Sequence, residues 1–361
     1  MQIEQQTDIA ATSAVSSHAE GEHPVERVLR RWHNSPLARH FCCYHFEEPR
    51  SPESAPLPDW LDPRLRSALA QRGITRLYSH QAEAIAHAAP PPLGRGRDVV
   101  IATPTASGKT LCYNLPVFET LARDPRARAL YLFPTKALAR DQIEAGRELA
   151  RASGIEAGLA VYDGDTPPDE RRAARRAARI IATNPDMLHA SILPHHPNWA
   201  ELLSGLRYVV VDELHVYRGV FGSHLAHVLR RLVRLARFHG AEPTFVFSSA
   251  TIANPCELAQ RLCGRRPELV ERSGAPRGAR HFLIYNPPVV DPALGLRESY
   301  LKATSTLTQQ LLASDVSSLV FCRSRKAVEV LLRYLRDGAQ ATRASDDVEA
   351  PPVDALIRGY R

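Results

Sequence analysis

Lysine is almost missing from this chain. Of 46 basic side chains in 361 residues, only Lys109, Lys136, Lys302 and Lys326 are lysines. Arginine is the default cation, so each retained lysine points to a position that wants a compact ammonium. Cysteine is sparse too, with six thiols at 42, 43, 112, 256, 263 and 322. None forms a C-x-x-C pair, which excludes a zinc-ribbon or thioredoxin-like reading. The sparse usage fits a reducing cytosol. No apolar run approaches the ~20 residues needed to span a bilayer, so a membrane protein is not expected. The first twenty residues have neither a basic start nor an apolar core, so no secretory signal is read. A cytoplasmic protein is expected, nucleoid-associated if bacterial. The net charge of +7 is moderate and carried by arginine, which composition bias explains as well as an anionic partner does.

What is present is length for roughly two domains, since an average domain takes about 150 residues. The 44% hydrophobic content is ordinary for a globular protein. Residues 1–48 are weakly patterned. Prolines 49, 52, 56 and 58 read as a linker, so 1–58 is taken as an N-terminal extension. From Asp59 the spacing turns helical. One helix ends at Gly73 and another, beginning near His80, stops at prolines 90–92. Short apolar runs then alternate with amphipathic stretches. The runs are Asp98–Ala102, Ala129–Phe133, Gly158–Tyr162, Arg179–Thr183, Leu206–Asp212 and Thr244–Ser248. Continuous apolar runs suit strands covered on both faces, and the intervening stretches suit crossover helices, which predicts an α/β fold with a parallel sheet. Phe282–Tyr285 and Ser318–Phe321 begin a second series of the same kind, and 338–352 reads as a loop.

The first chemical signal is the turn after the first of these runs. Residues 102–110 read Ala-Thr-Pro-Thr-Ala-Ser-Gly-Lys-Thr, between a strand and a helical stretch. Such a turn aims backbone N–H groups and a helix N-terminus at one spot, which suits a polyphosphate. Gly108 permits close approach, Lys109 reaches the terminal phosphates, and the Thr110 hydroxyl is offered to Mg²⁺. Thr103 stands where the G-x-x-x-x-G-K-[ST] pattern has its first glycine. A second half-site follows at Leu206–Glu213, where Asp212 suits a Mg²⁺-holding carboxylate and Glu213 a general base for the attacking water. His215 lies where it could sense the γ-phosphate. Ser249 and Thr251, closing a later strand, could hydrogen-bond the Asp-Glu-Leu-His turn and couple it to a neighbouring lobe.

In this order the motifs resemble a superfamily 2 helicase of the DEAD/DEAH-box type. Such helicases often lack the first phosphate-loop glycine. The resemblance makes Tyr78–Gln81 the adenine-reading segment, with Gln81 bonding to the base edge, and Thr105, Ala106, Ser107, Gly108, Lys109 and Thr110 the ATP phosphate loop. It makes Pro134, Thr135 and Lys136, then Gly164 and Asp165, then Thr183 and Asn184, three nucleic-acid-binding segments. Asp212–His215 is the Asp-Glu-x-His box and Ser249–Thr251 the coupling motif. Phe321–Arg325, with Arg323 and Ser324, resembles the first motif of a second RecA-like lobe. The strings ELHVYRGVFGSHLAHVLRRL, SSATIANPCELA, HFLIYNPPVVD and VFCRSRKAVEVLL are similar to helicases of the mitomycin-repair-factor-A type, relatives of fungal RecQ-like helicases. That likeness implies a DNA substrate, 3′-to-5′ movement and a role in repair. It divides the chain into a RecA-like lobe over 59–275 and part of a second over 276–361.

Two alternatives attach to these segments. Thr and Asn at strand ends are also ordinary helix N-caps. Arginines 171, 172, 175, 176 and 179, and 230, 234 and 237, are either solvated helix faces or a phosphate track. At the level of function, the alternatives to a DNA helicase are a nucleotide- and DNA-binding remnant or regulator without motor activity, and an RNA helicase. The family's Gln-x-x-Gly-Arg-x-x-Arg segment of arginine fingers, worth about 10³–10⁵ in rate, is not found, nor are clustered cysteines after it. The expectation is a truncated helicase that binds ATP and hydrolyses it very slowly. DNA-stimulated phosphate release by purified 1–361 should stay at background, and robust turnover would contradict this reading.

Overall fold

The computed structural model describes residues 23–89, 95–343 and 356–359. The expected stop at prolines 90–92, the end at Arg361 and most of the expected loop 338–352 lie outside them. In chain order the elements begin with α1 (Pro24–His33), β1 (Phe41–Glu47), β2 (Ser54–Pro56), α2 (Pro63–Gln71), β3 (Arg76–Tyr78), α3 (Ser79–Ala88), β4 (Val99–Ala102) and α4 (Lys109–Arg123). There follow β5 (Arg128–Leu132), α5 (Lys136–Ser153), β6 (Leu159–Val161), α6 (Pro168–Ala177), β7 (Ile180–Thr183), α7 (Pro185–Met187), α8 (Ala200–Ser204) and β8 (Leu206–Val211). The last are α9 (Gly219–Phe238), β9 (Thr244–Ser249), α10 (Pro255–Cys263), β10 (Glu268–Val270), β11 (Arg280–Tyr285), β12 (Val289–Asp291), β13 (Leu296–Arg297), α11 (Tyr300–Leu312) and α12 (Arg325–Arg343). They fall into two compact units, Pro49–Gly278 and Met1–Glu48 with Ala279–Arg361. None of the described helices is long and apolar enough to cross a membrane.

The unit Pro49–Gly278 is built on a seven-stranded parallel sheet of order β10-β4-β9-β8-β5-β7-β6. The six apolar runs expected to be strands all pair in it, and β10 at one edge was not foreseen. Every residue of β4, β7 and β9 is buried, as parallel strands covered on both faces require. One apolar cluster joins α2, α3, α4 and α5 to one face through Leu65, Ile85, Phe118 and Ile143. The other joins α8, α9 and α10 to the opposite face through Leu203, Leu229 and Leu262. Helix ends follow local chemistry. Asp62 accepts from the N–H of Arg64 at the start of α2, and Thr135 from that of Leu138 at the start of α5, as N-caps do. Gly154 closes α5 in the left-handed region at φ 65°, a conformation that glycine adopts without penalty.

The other unit draws on both ends of the chain. β1 pairs antiparallel with β11, Cys43 opposite Ile284 and Glu47 opposite Arg280. So Phe282–Tyr285 forms a strand as expected, but its partner is the N-terminal segment. Trp32 of α1 stacks on Phe41 and donates its indole N–H to Gln310 of α11 at 2.6 Å. Ser318–Phe321, expected as a strand, has no strand pairing among the described residues, and Leu319 and Phe321 are exposed. The expected loop from 338 is helical as far as Arg343, because α12 continues through Gly338.

Several arginines of the two clusters, left open between solvated faces and a phosphate track, instead make bonds within the protein. Arg179 lies past the end of α6 and donates to the carbonyls of Leu121 and Glu156 at 2.9 Å. Arg171 donates to those of Asp163 and Thr166, and Arg237 pairs with Glu242. Arg265, outside those clusters, makes a further tie. It meets buried Asp98 at 2.7 Å, donates to the Pro243 carbonyl and lies over the Phe245 ring. Arg265→Ala is expected to cost about 3 kcal/mol, because it leaves a buried carboxylate short of its partner. Urea denaturation would measure this, and a loss below about 1 kcal/mol, typical of an exposed pair, would contradict it.

Candidate functional site

Parallel pairing sends every strand of the large sheet towards the same edge, so the loops at the carboxyl ends of β4, β8, β9, β5, β7 and β6 meet there. In such sheets ligands bind at that edge. The loop after β4 carries two residues in the left-handed region, Ala106 at φ 60° and Gly108 at φ 78°. Glycine is suited to the second position, where an added Cβ would stand 2.7 Å from Gln81 Nε2. Thr103 and Ser107, both buried, bond through their hydroxyls at 2.7 Å and close the loop on itself. Lys109, at the first turn of α4, donates to the carbonyls of Thr103 and Pro104 at 3.0 and 2.8 Å. Thr105 and Ala106 are exposed. A loop of this form concentrates backbone N–H groups and a helix N-terminus on one concavity.

Asp212 ends β8 and is buried. Burial raises its carboxyl above the ordinary aspartate value, opposed by the Ser248 hydroxyl and the Glu213 N–H. Its Oδ1 accepts that N–H at 2.9 Å. Glu213 adopts φ 53°. That is a strained conformation for a non-glycine residue, of the kind that concentrates at functional sites. Its Oε2 lies 3.3 Å from His215 Nδ1. Burial lowers the Lys109 ammonium below the ordinary lysine value, and the charges of Glu213 and Asp212 counteract it, so the two half-sites act on each other electrostatically.

Thr110 donates its hydroxyl to Gln142 of α5 at 3.2 Å. That leaves the oxygen lone pairs available to a cation. A carboxylate and a hydroxyl at neighbouring strand ends are the kind of sparse oxygen set that Mg²⁺ shares with substrate phosphates. Among the described residues no cluster of three or more His, Cys, Asp or Glu forms an all-protein metal cage.

Three expected roles differ in the structure. Gln81 is buried, with Oε1 accepting from the Tyr78 N–H and Nε2 donating to the Gly108 carbonyl, both at 2.9 Å. Its amide therefore braces the loop 103–110 rather than facing a base edge. Thr183 is buried, and its hydroxyl donates to the Tyr162 carbonyl at 2.6 Å, so it holds the end of β7 to the residue that follows β6 rather than facing a nucleic-acid strand. Ser249 is buried at the end of β9, its hydroxyl with no hydrogen-bond partner among the described residues, and Thr251 is exposed beyond the strand. The expected bond from these two to the Asp-Glu-Leu-His turn is not seen.

The remaining expected contacts of this unit follow β5, β7 and β6, neighbouring strands of the sheet. Pro134 and Thr135 follow β5, and Lys136 Nζ meets Asp165 at 2.8 Å with Gly164 alongside. Arg140 approaches Asp165 to 3.7 Å. Thr135, Lys136 and Gly164 are exposed. Asn184 caps α7 by accepting from the Met187 N–H at 2.8 Å. In the other unit, exposed Arg323 precedes Ser324, which accepts from the Ala327 N–H at the start of α12. Sequence reasoning missed two residues of the loop's support, His80 and Gln142. Each acts across a long stretch of chain, and neither carries a local pattern beyond its place in a helix.

The model of the DEAD/DEAH box helicase family matches residues 78–258, half of the chain. The chain is 48% identical over 294 residues to the uncharacterized ATP-dependent helicase YprA of Bacillus subtilis, covering 81% of this chain and 39% of that one. It is 41% identical over 265 residues to the ATP-dependent helicase HRQ1 of Saccharomyces cerevisiae, covering 72% of this chain and 24% of that one. Among solved structures, the DUF1998 helicase MrfA bound to DNA matches with a TM-score of 0.82 at 45% identity, over 87% of this chain and 41% of that one. The chain thus spans well under half the length of these relatives. It belongs to the DEAD/DEAH box helicases.

Thr183→Val separates the two roles of that residue. It is expected to lower stability by about 1 kcal/mol through the lost buried hydrogen bond, with affinity for single-stranded nucleic acid unchanged. Fluorescence anisotropy beside a urea melt would measure both, and weakened binding at unchanged stability would restore Thr183 as a contact.

Proposed function

We propose that this DEAD/DEAH box helicase chain binds ATP with Mg²⁺ at the loop 103–110 and belongs to a motor that hydrolyses it to move along single-stranded DNA. In this reading 59–275 is the nucleotide-binding lobe and 276–361 part of a second. The observation that carries it is the convergence of two half-sites on one sheet edge. β4 delivers the loop and Lys109, β8 delivers Asp212 and Glu213, and only β9 lies between them.

The N–H groups of residues 105–110 receive the phosphates, with Lys109 across their terminal oxygens. Thr110 and Asp212 hold the cation, which when bound neutralises charge on the phosphoryl oxygens. Glu213 orients a water in line with the γ-phosphorus and takes its proton. The new P–O bond forms as the bond to the ADP oxygen breaks. His215, 3.3 Å from that carboxylate, senses the phosphate state. Thr135, Lys136, Gly164, Asp165 and Asn184 form the strand-binding surface of this lobe. Arg323 and Ser324 are the strand contacts of the second. A DNA rather than RNA substrate is supported by the similar helicase solved with DNA. Movement 3′-to-5′ and a repair role follow from the mitomycin-repair-factor-A resemblance. Six free cysteines accord with a reducing cytoplasm.

Lys109→Ala tests the site. It should weaken binding of ribose-labelled fluorescent ATP with Mg²⁺ by roughly 10–100-fold, the worth of a charge-assisted hydrogen bond. Unchanged affinity in the folded variant would remove the phosphate-loop assignment.

A further inference from the structure

His80 is fully buried beside the phosphate loop, and the chemistry described so far gives it no role. Its Nδ1 lies 3.1 Å from the Gly274 N–H. A backbone N–H can only donate, so Nδ1 carries the lone pair. The proton of the neutral ring is therefore on Nε2, which donates to the Ser107 carbonyl at 3.0 Å. Burial and, less strongly, the Lys109 charge disfavour protonation against the opposing Ser107 hydrogen bond, which keeps the ring neutral. Tyr78 stacks on it at 6.0 Å. The next carbonyl of the loop, that of Gly108, is held by the neighbouring residue Gln81. Two consecutive side chains of α3 thus hold two consecutive carbonyls of the loop.

The consequence follows from peptide geometry. In a trans peptide the C=O and the following N–H point to opposite sides. Holding the Ser107 carbonyl outward aims the Gly108 N–H inward, and holding the Gly108 carbonyl does the same for the Lys109 N–H. Ala106 and Gly108 both sit at positive φ, so the intervening peptide is the part of the loop most able to flip its carbonyl into the concavity. Gly274 is itself fixed. It accepts from the Glu53 N–H at 2.9 Å, and a Cβ there would lie 2.2 Å from Ser79 Oγ and 2.5 Å from the Glu53 carbonyl.

We propose that His80 is a positioning residue for the nucleotide. Through its Nε2–H it fixes the Ser107–Gly108 peptide with the Gly108 N–H facing the phosphates, and through Nδ1 it makes that peptide answer to the placement of Gly274. This rests on reading 103–110 as the phosphate loop. By thermodynamic reciprocity, nucleotide at the loop also steadies the Gly274 N–H.

The test measures affinity for ribose-labelled fluorescent ATP with Mg²⁺ in the wild type, Lys109→Ala, His80→Phe and His80→Gln. Phenylalanine keeps the ring volume and removes both hydrogen bonds. Glutamine restores an amide donor near the Nε2 position. His80→Phe should bind about tenfold more weakly, one well-placed hydrogen bond to the loop, and His80→Gln should recover most of that loss. Wild-type affinity in His80→Phe, or equal loss in both variants, would overturn the proposal. If Lys109→Ala binds like the wild type, the phosphate-loop reading itself has failed. Should His80→Phe not fold, hydrogen exchange in the wild type decides. Exchange at Gly274 slowed by bound ATP supports the link, and exchange unmoved by saturating ATP overturns it.

Discussion

Parallel pairing of β4, β9 and β8 is the constraint from which the site follows. Ala102 stands beside Ser249, and Val211 beside Phe247, so the three strands reach their carboxyl ends at nearly the same level. Strands lie ~4.8 Å apart, which separates the ends of β4 and β8 by about 10 Å. That distance accommodates a phosphate chain and the side chains that bracket it. Both faces of the sheet are covered, by α2–α5 on one side and α8–α10 on the other, so no strand can slip register without exposing a buried row. Rigidity in the sheet becomes precision in the loops that it ends in.

The loops themselves are held against their own preferences. Ala106 and Glu213 are non-glycine residues at positive φ. Each such residue costs on the order of 1–3 kcal/mol. That cost persists only where the surroundings over-determine the backbone. For the loop 103–110 the restraints are the Thr103–Ser107 hydroxyl pair inside it, and the His80 and Gln81 side chains outside it. For Glu213 it is the Asp212 carboxylate accepting its N–H. The Asp212 carboxylate and the Lys109 ammonium are thus placed by bonds to backbone, and Lys109 and Glu213 stay partly exposed while the supports around them are buried.

Much of this was legible in the sequence. Six apolar runs became six of the seven sheet strands, because a strand covered on both faces has no polar alternation to obscure it. The turn 103–110 and the strand-end Asp212 and Glu213 were legible as local patterns, and the structure places both at the carboxyl ends of strands. What failed depends on contacts distant in sequence. β1 near the start of the chain pairs with β11 far along it, and His80 meets Gly274 across 194 positions. Thr183 and Gln81 sit in segments that resemble ligand contacts, yet burial turns their side chains to backbone carbonyls. Arg179 and Arg171 read as a charged face and act as carbonyl donors, since a guanidinium carries enough N–H groups to close several loops at once. Ser318–Phe321 has strand composition without a strand partner among the described residues, and composition cannot supply one.

The central claim is that the edge between β4 and β8 is an ATP site whose phosphates are received by backbone N–H groups of the loop. A crystal structure of this chain with a non-hydrolysable ATP analogue and Mg²⁺ tests it most directly. The account predicts phosphate oxygens within hydrogen-bonding distance of the Gly108, Lys109 and Thr110 N–H groups, with the cation between Thr110 and the Asp212 side. An analogue bound elsewhere, or a loop whose Ser107 carbonyl turns into the phosphate position, would contradict it.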